Sequence, residues 1–567
     1  MPYPKDPNIV YGSCKGQYGV MNLKTGQEKN YWVGAQSLYG NPASDLIYRF
    51  QRVSPMATSP HDPEVLYYGS QYLHRTRDKG LTWEKISPDL TAHPSCCQGA
   101  SGEPITRDVT GEEFYSTLYA ISESPLEKGV IWTGSNDGPF YVTRDNGKTW
   151  TNVTPKDLPE GGRVQYIEPS PHRKGSAYYA AYRWLLGDYQ PYIYRTDDYG
   201  KTWTRLTDGK NGIPADWPTR VVREDPDREG LLYAGTEFGM FISFDNGGHW
   251  QSFQLNLPNV PVTDIKLHNN DLIVSTQGRA FWIIDDISSL HQLTPRVATS
   301  GPHLFKPRDG YRTRVGPASL APIIEYYLPV PATDAVTLDI LDWRGALINS
   351  YNSETPPPTG RGRGAGGEAG AFEDPDAAPA RRFGPPPPRV TKNAGLNRII
   401  WDVKNKEGIT LPPGEYQVRL RVAGQSFTEP LQVLIDPRVA EDGVTIDHLQ
   451  EQYEHNMKVH EMVVEANQLA ARVREAQTKL RNASTSDNDA AAKVNAIAAK
   501  LLSEPVRYGK PGLQAHITYL ASMTANVDQR IGRDAIERYA VLRKELDDLR
   551  AEADRVLGPA TGIATEK

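Results

Sequence analysis

The chain has 567 residues, too many for one hydrophobic core, so it divides into domains. Its 63 basic and 69 acidic residues leave a net charge of −6, which offers no field for nucleic acid, and no apolar run approaches the ~20 residues of a membrane span. Three cysteines, Cys14 alone and Cys96 beside Cys97, cannot make a disulfide framework; without CxxC spacing or a His cluster they read as bystanders, with no metal site.

In chain order, the opening MPYPKDPNIVYG lacks the apolar stretch of a signal peptide and reads as the middle of a repeat. Residues 6–26 form a degenerate repeat unit ending in Lys24-Thr25-Gly26. Four full units follow, each with a Pro-marked turn, a β-branched and aromatic strand, a small-residue bend and one recurring turn. That turn is Thr76-x-Asp78-x-Gly80-x-Thr82-Trp83, then Thr143-x-Asp145-x-Gly147-x-Thr149-Trp150, Thr196-x-Asp198-x-Gly200-x-Thr202-Trp203 and Ser243-x-Asp245-x-Gly247-x-His249-Trp250. This is the Asp-box pattern. Its Asp suits acceptance from backbone N–H groups, its Gly supplies positive φ, and its Trp packs between sheets, so the four Asp residues are read as structural and not catalytic. Residues 270–286 make a last unit without the box. About six blade-like units thus fill 1–292, which predicts an Asp-box β-propeller that opens inside a blade.

Linker strands and an Ig-like β-sandwich are predicted over 303–437. Alternating strands there begin at Val336, Leu396 and Gly414, and the turn LPPGEY spans 411–416. The Pro/Gly/Arg-rich insert 355–389 cannot bury enough apolar surface to fold and is read as a disordered hairpin loop. From Thr445 the period turns helical. Leu449, Tyr453, Met457, His460 and Val464, and later Leu542, Leu546 and Leu549, predict three or four helices in an antiparallel bundle over 445–558, with His460 packed in its core.

The Asp-box joins the third and fourth strands of a four-stranded meander, so the turns between second and third strands lie on the opposite face, where a site is expected. Those turns carry Asp137, Trp184, Tyr189, Glu237 and Arg279; the long link 89–117 adds Arg107, Asp108, Glu112, Glu113 and Tyr115, and Arg163 and Arg220 start inner strands. Glycosidic chemistry needs two carboxylates across the scissile bond, and Asp108, Glu112, Glu113, Asp137 and Glu237 are the pool. The plainer reading is that these acids solvate turns or pair with Arg49, Arg163 and Arg220. No phosphate loop, nucleophile elbow or HExxH motif occurs, and no cofactor is expected.

The box series, the DP/SP-turn strands and the closing GRAFWIIDD at 278–286 resemble bacterial BNR-repeat proteins related to the sortilin N-terminal domain. The resemblance implies a secreted or periplasmic protein that is the C-terminal portion of a two-propeller chain, with an N-terminal propeller as its missing partner. It also implies a glycosyl-hydrolase label, because sialidases and xyloglucanases share the box. A sialidase is disfavoured, since no Arg-Ile-Pro segment precedes the boxes. The first expectation is an extracytoplasmic scaffold binding a peptide or glycan on the loop face. The alternatives are a glycoside hydrolase using carboxylates of those loops and a structural subunit of a larger assembly.

Overall fold

A computed structural model describes residues 1–99, 114–355, 388–482, 488–504, 506 and 509–559. They form two compact units, Met1–Ile287 and Ser288–Lys567. The fold is mainly β, in many small sheets, with a separate helical region toward the C-terminus.

Among the described residues of the first unit, six small antiparallel meanders succeed one another. Five have four strands; a representative is Arg163–Pro169, Ala177–Tyr182, Tyr192–Thr196 and Thr204–Arg205. The last has three, Val262–His268, Asp271–Thr276 and Phe281–Ile284. The strands starting at Leu118, Arg163, Thr219 and Val262 touch in succession, so sheet packs against sheet along the chain. The small-residue bend makes that approach possible. A Cβ on Gly134 would stand 2.2 Å from Val164 Cγ1. Aromatic side chains fill the space between sheets: Trp132, Phe140, Tyr179 and Tyr194 stack in series at centroid distances of 5.7, 4.7 and 5.6 Å. Each such pair adds about 0.5–1.5 kcal/mol beyond its area burial.

The four recurring turns share one hydrogen-bond set. In the first, Asp78 Oδ1 accepts from Thr82 N–H at 2.9 Å and from Thr76 Oγ1 at 2.8 Å, while Asp78 Oδ2 accepts from Thr82 Oγ1 at 2.6 Å. In the fourth, His249 replaces the threonine and its Nδ1 meets Asp245 Oδ2 at 2.6 Å. Two consecutive residues are left-handed, not the glycine alone: Tyr199 has φ +60° and Gly200 +81°. Gly200 is needed twice over, because a Cβ would meet Val153 Cβ of the preceding sheet at 2.6 Å. The turn tryptophans fasten neighbours. Trp150, Trp203 and Trp250 donate from Nε1 to the carbonyls of Ile86, Val153 and Leu206 at 3.0, 2.7 and 3.0 Å. Trp83 instead stands edge-on to Tyr18, 5.3 Å away.

In the second unit, a three-stranded sheet (303–304, 323–328, 395–400) and a five-stranded one (310–312, 425–435, 414–422, 337–342, 347–352) share one core around Trp401, Tyr326 and Val418. Tyr416 closes the 411–416 turn by donating to the Pro412 carbonyl at 2.7 Å. The insert read as disordered lies, from 356 to 387, outside the described residues. Four long helices follow, Ile446–Asn482, Asn488–Leu501, Leu513–Ala525 and Arg533–Leu557. Leu542, Leu546 and Leu549 are buried as expected. The face of the first long helix is not the predicted one. It buries Leu449, Gln452, His455, Val459 and Met462, whereas Val464 is exposed and His460 only half-buried. The reason is polar: Gln452 donates to the Thr524 and Val527 carbonyls at 3.0 and 2.7 Å and accepts from Arg312 at 2.7 Å, so a buried amide steers the helix where a count of apolar residues could not.

Candidate functional site

The recurring turns join third to fourth strands, so the second-to-third turns of the first unit end on the other face. There the structure gathers one polar cluster from successive sheets. Glu237 Oε1 accepts from Tyr182 Oη at 2.6 Å and from Arg220 Nε. The same guanidinium reaches Tyr182 Oη at 3.1 Å and Gln277 Oε1 at 3.4 Å, and lies over the Tyr182 ring, 4.6 Å from its centre. Burial, and then the bond to Glu237, raise the Tyr182 hydroxyl well above the usual phenol value.

Beside this cluster the chain turns through a short 3-10 segment, Trp184–Leu186. Arg183 fixes it, donating from Nε to Asp188 at 2.8 Å and from Nη1 to the carbonyls of Pro159, Glu160 and Gly161 at 2.8, 2.7 and 2.6 Å. Burial alone would raise the Asp188 carboxyl, but hydrogen bonds from Arg183 and Tyr192 hold it below its ordinary value. The anchored turn presents Trp184, Leu185, Leu186 and Tyr189, each 45–64% exposed, with Trp184 stacked on Tyr182 at 6.5 Å. Phe238, in the next sheet's turn, is 40% exposed and packs on Trp217 at 5.2 Å. An apolar, partly aromatic rim thus flanks a polar centre.

The other candidates fall around it. Asp137 is buried, and its Oδ2 accepts from the N–H groups of Ala92 and His93, both at 3.1 Å. Its neighbour Asn136 bonds Thr117 and the Phe114 carbonyl, so one turn ties both described ends of the 89–117 link. Tyr115 is half-buried; burial, then the charge of Asp137, raises its hydroxyl. Arg163 lies over the Tyr119 ring at 4.4 Å, and Arg279 is exposed in the last sheet's turn. Arg107, Asp108, Glu112 and Glu113 lie outside the described residues.

Sequence reading missed a second cluster on the first strands of the fourth to sixth sheets. Arg223 bridges Glu168 at 2.8 Å and Asp264 at 3.0 Å and covers the Tyr166 ring at 3.7 Å. Burial pushes the Glu168 carboxyl up, with Glu224 and Asp264 adding to it against Lys266. Comparing the same strand position across repeats would have shown charge recurring there.

No family model matches the chain. It is 33% identical over 229 residues to an oligoxyloglucan-reducing end-specific xyloglucanase of Emericella nidulans, covering 38% of this chain and 27% of that protein. A probable enzyme of the same description from Neosartorya fischeri is 22% identical over 230 residues, covering 39% and 24%. The chain thus spans about a quarter of the length of these curated relatives. A GH74 xyloglucanase structure from Xanthomonas campestris aligns with 57% of this chain and 50% of its own, at 16% identity and a TM-score of 0.36. The curated relatives and the absence of a matching family model overturn the resemblance to BNR-repeat and sortilin-like proteins: those relatives carry neither those labels nor an Asp-box one. The reason is physical. A turn closed by Asp, Gly and Thr is held by hydrogen bonds within a few residues, so it marks a local geometry and not a lineage.

Proposed function

We propose that the first unit is a β-propeller of about six blades and of glycoside-hydrolase type, acting on a glucan-like glycan held on the face opposite the Asp turns. The observation that carries this reading is the 33% identity over 229 residues to a xyloglucanase. The exposed Trp184, Tyr189 and Phe238 support it, since flat aromatic faces suit sugar rings. In this reading Glu237 supplies one carboxylate and Asp108, Glu112 or Glu113 the proton donor. Within the second unit, 303–437 and 445–558 are proposed as separate domains.

A specific observation favours a second reading, a binding surface without catalysis. Arg220 and Tyr182 both occupy Glu237, and two backbone donors occupy Asp137. Incubating the protein with xyloglucan oligosaccharides separates the two. New reducing ends, lost in Glu237→Gln, support hydrolysis. Saturable binding without cleavage leaves the scaffold, and neither result removes both.

A further inference from the structure

The stretch from Thr91 to Gln98 holds two thiols that the functional reading does not use. It is fastened on both sides. Ala92 and His93 donate their N–H groups to Asp137, and buried Gln98 donates from Nε2 to Ser116 Oγ at 2.9 Å while its backbone carbonyl accepts from Ser44 N–H at 3.3 Å. Between these anchors Ser95–Cys97 makes a single 3-10 turn. Both Cys96 and Cys97 are exposed, and their sulfurs stand 2.7 Å apart.

We propose that Cys96 and Cys97 are a redox modification site, closing to a vicinal disulfide by exchange with a low-molecular-weight disulfide and reopening with a thiol. In the first step one cysteine thiolate attacks a sulfur of the small disulfide, forming a mixed disulfide and releasing one small thiolate. The neighbouring thiolate then attacks the protein-side sulfur and expels the second. The two cysteine protons end on the two released thiols; the protein sulfurs lose two electrons and the small disulfide gains them. The hydrogen bond between the two sulfurs, 2.7 Å apart, favours the proton on Cys97, so Cys96 attacks first.

The ring is built to be labile. Adjacent Cα atoms are about 3.8 Å apart, inside the roughly 4.4 Å lower bound of ordinary disulfides. Such a strained bond yields to milder reductants than a structural one and suits regulation. Closing it removes two ionisable groups whose charge reaches Tyr115 and stiffens the backbone that caps Asp137.

The test is to equilibrate the full chain in graded reduced and oxidised glutathione, quench with acid, alkylate, and weigh the peptide carrying both cysteines. The expected result in oxidising buffer is a peptide lighter by two hydrogens with no alkyl group. Cys97→Ser, at an exposed position, should instead keep one glutathione on Cys96 for want of a resolving thiol. Two alkyl groups in every buffer, two glutathiones in the wild type, or a crosslink to Cys14 would each overturn the proposal.

Discussion

The two faces of the Met1–Ile287 unit use the same strands under opposite rules. On one, four turns repeat one geometry: the Asp Oδ1 accepts from the backbone N–H four residues on at 2.8–2.9 Å every time. On the other the backbone closure also recurs, Ser135, Thr236 and Thr276 each donating from N–H to a carbonyl three or four residues on, but the side chains presented there differ from turn to turn. One is a buried Asp137 cap, one a 3-10 segment bearing exposed Trp184, one a Glu237 tied to Arg220. Repetition across sheets points to a task every sheet shares, which is closing a meander. Divergence points to a task done once. The first face should therefore answer to stability and the second to ligand.

The sharpest break in that comparison comes from Gly200→Ala. It puts a Cβ at φ +81° and against Val153, so we expect a loss of about 2–4 kcal/mol, read as a lower denaturation midpoint. Ligand binding per folded molecule should stay unchanged. Asp198→Ala is milder. It frees the Thr202 N–H, but that residue is exposed and water can replace the carboxylate, so about 1 kcal/mol is expected in the same assay. Trp184→Ala should do the converse, leaving the midpoint alone while weakening glycan binding by roughly three- to tenfold in titration calorimetry.

Acid offers a gentler probe of the repeated face. Hydrogen bonds from the Thr149 side chain and backbone hold the Asp145 carboxyl at about 2, and the carboxyls of Asp78, Asp198 and Asp245 are lowered too. An unfolded Asp titrates near ~3.9. The turns therefore contribute fully above that value and lose their contribution as pH falls through the folded one. Melting temperature should drop between about pH 4 and 2, and Asp145→Asn should flatten that drop.

What the sequence disclosed follows the same division. The four turns were legible because every group they need, from Thr76 to Trp83 and its copies, lies within eight consecutive positions. Arg220 and Glu237 share one hairpin, but Tyr182 and Gln277 come from the flanking sheets and reach them only because those sheets become neighbours. The segment bearing Trp184 was legible as a loop. Its anchor, Arg183 reaching back to Pro159, was not, since backbone carbonyls leave no mark in a sequence. The helical face was misread for a kindred reason: Gln452 is buried by partners from two other segments.

The most direct measurement of the central claim compares Glu237→Gln with Asp198→Ala on xyloglucan oligosaccharides, scoring reducing ends released per folded molecule. The account predicts that Asp198→Ala cleaves as the wild type does while Glu237→Gln, folded to the same melting temperature, releases nothing above background. Undiminished cleavage by Glu237→Gln, or its selective loss in Asp198→Ala, would place the chemistry on the wrong face and contradict it.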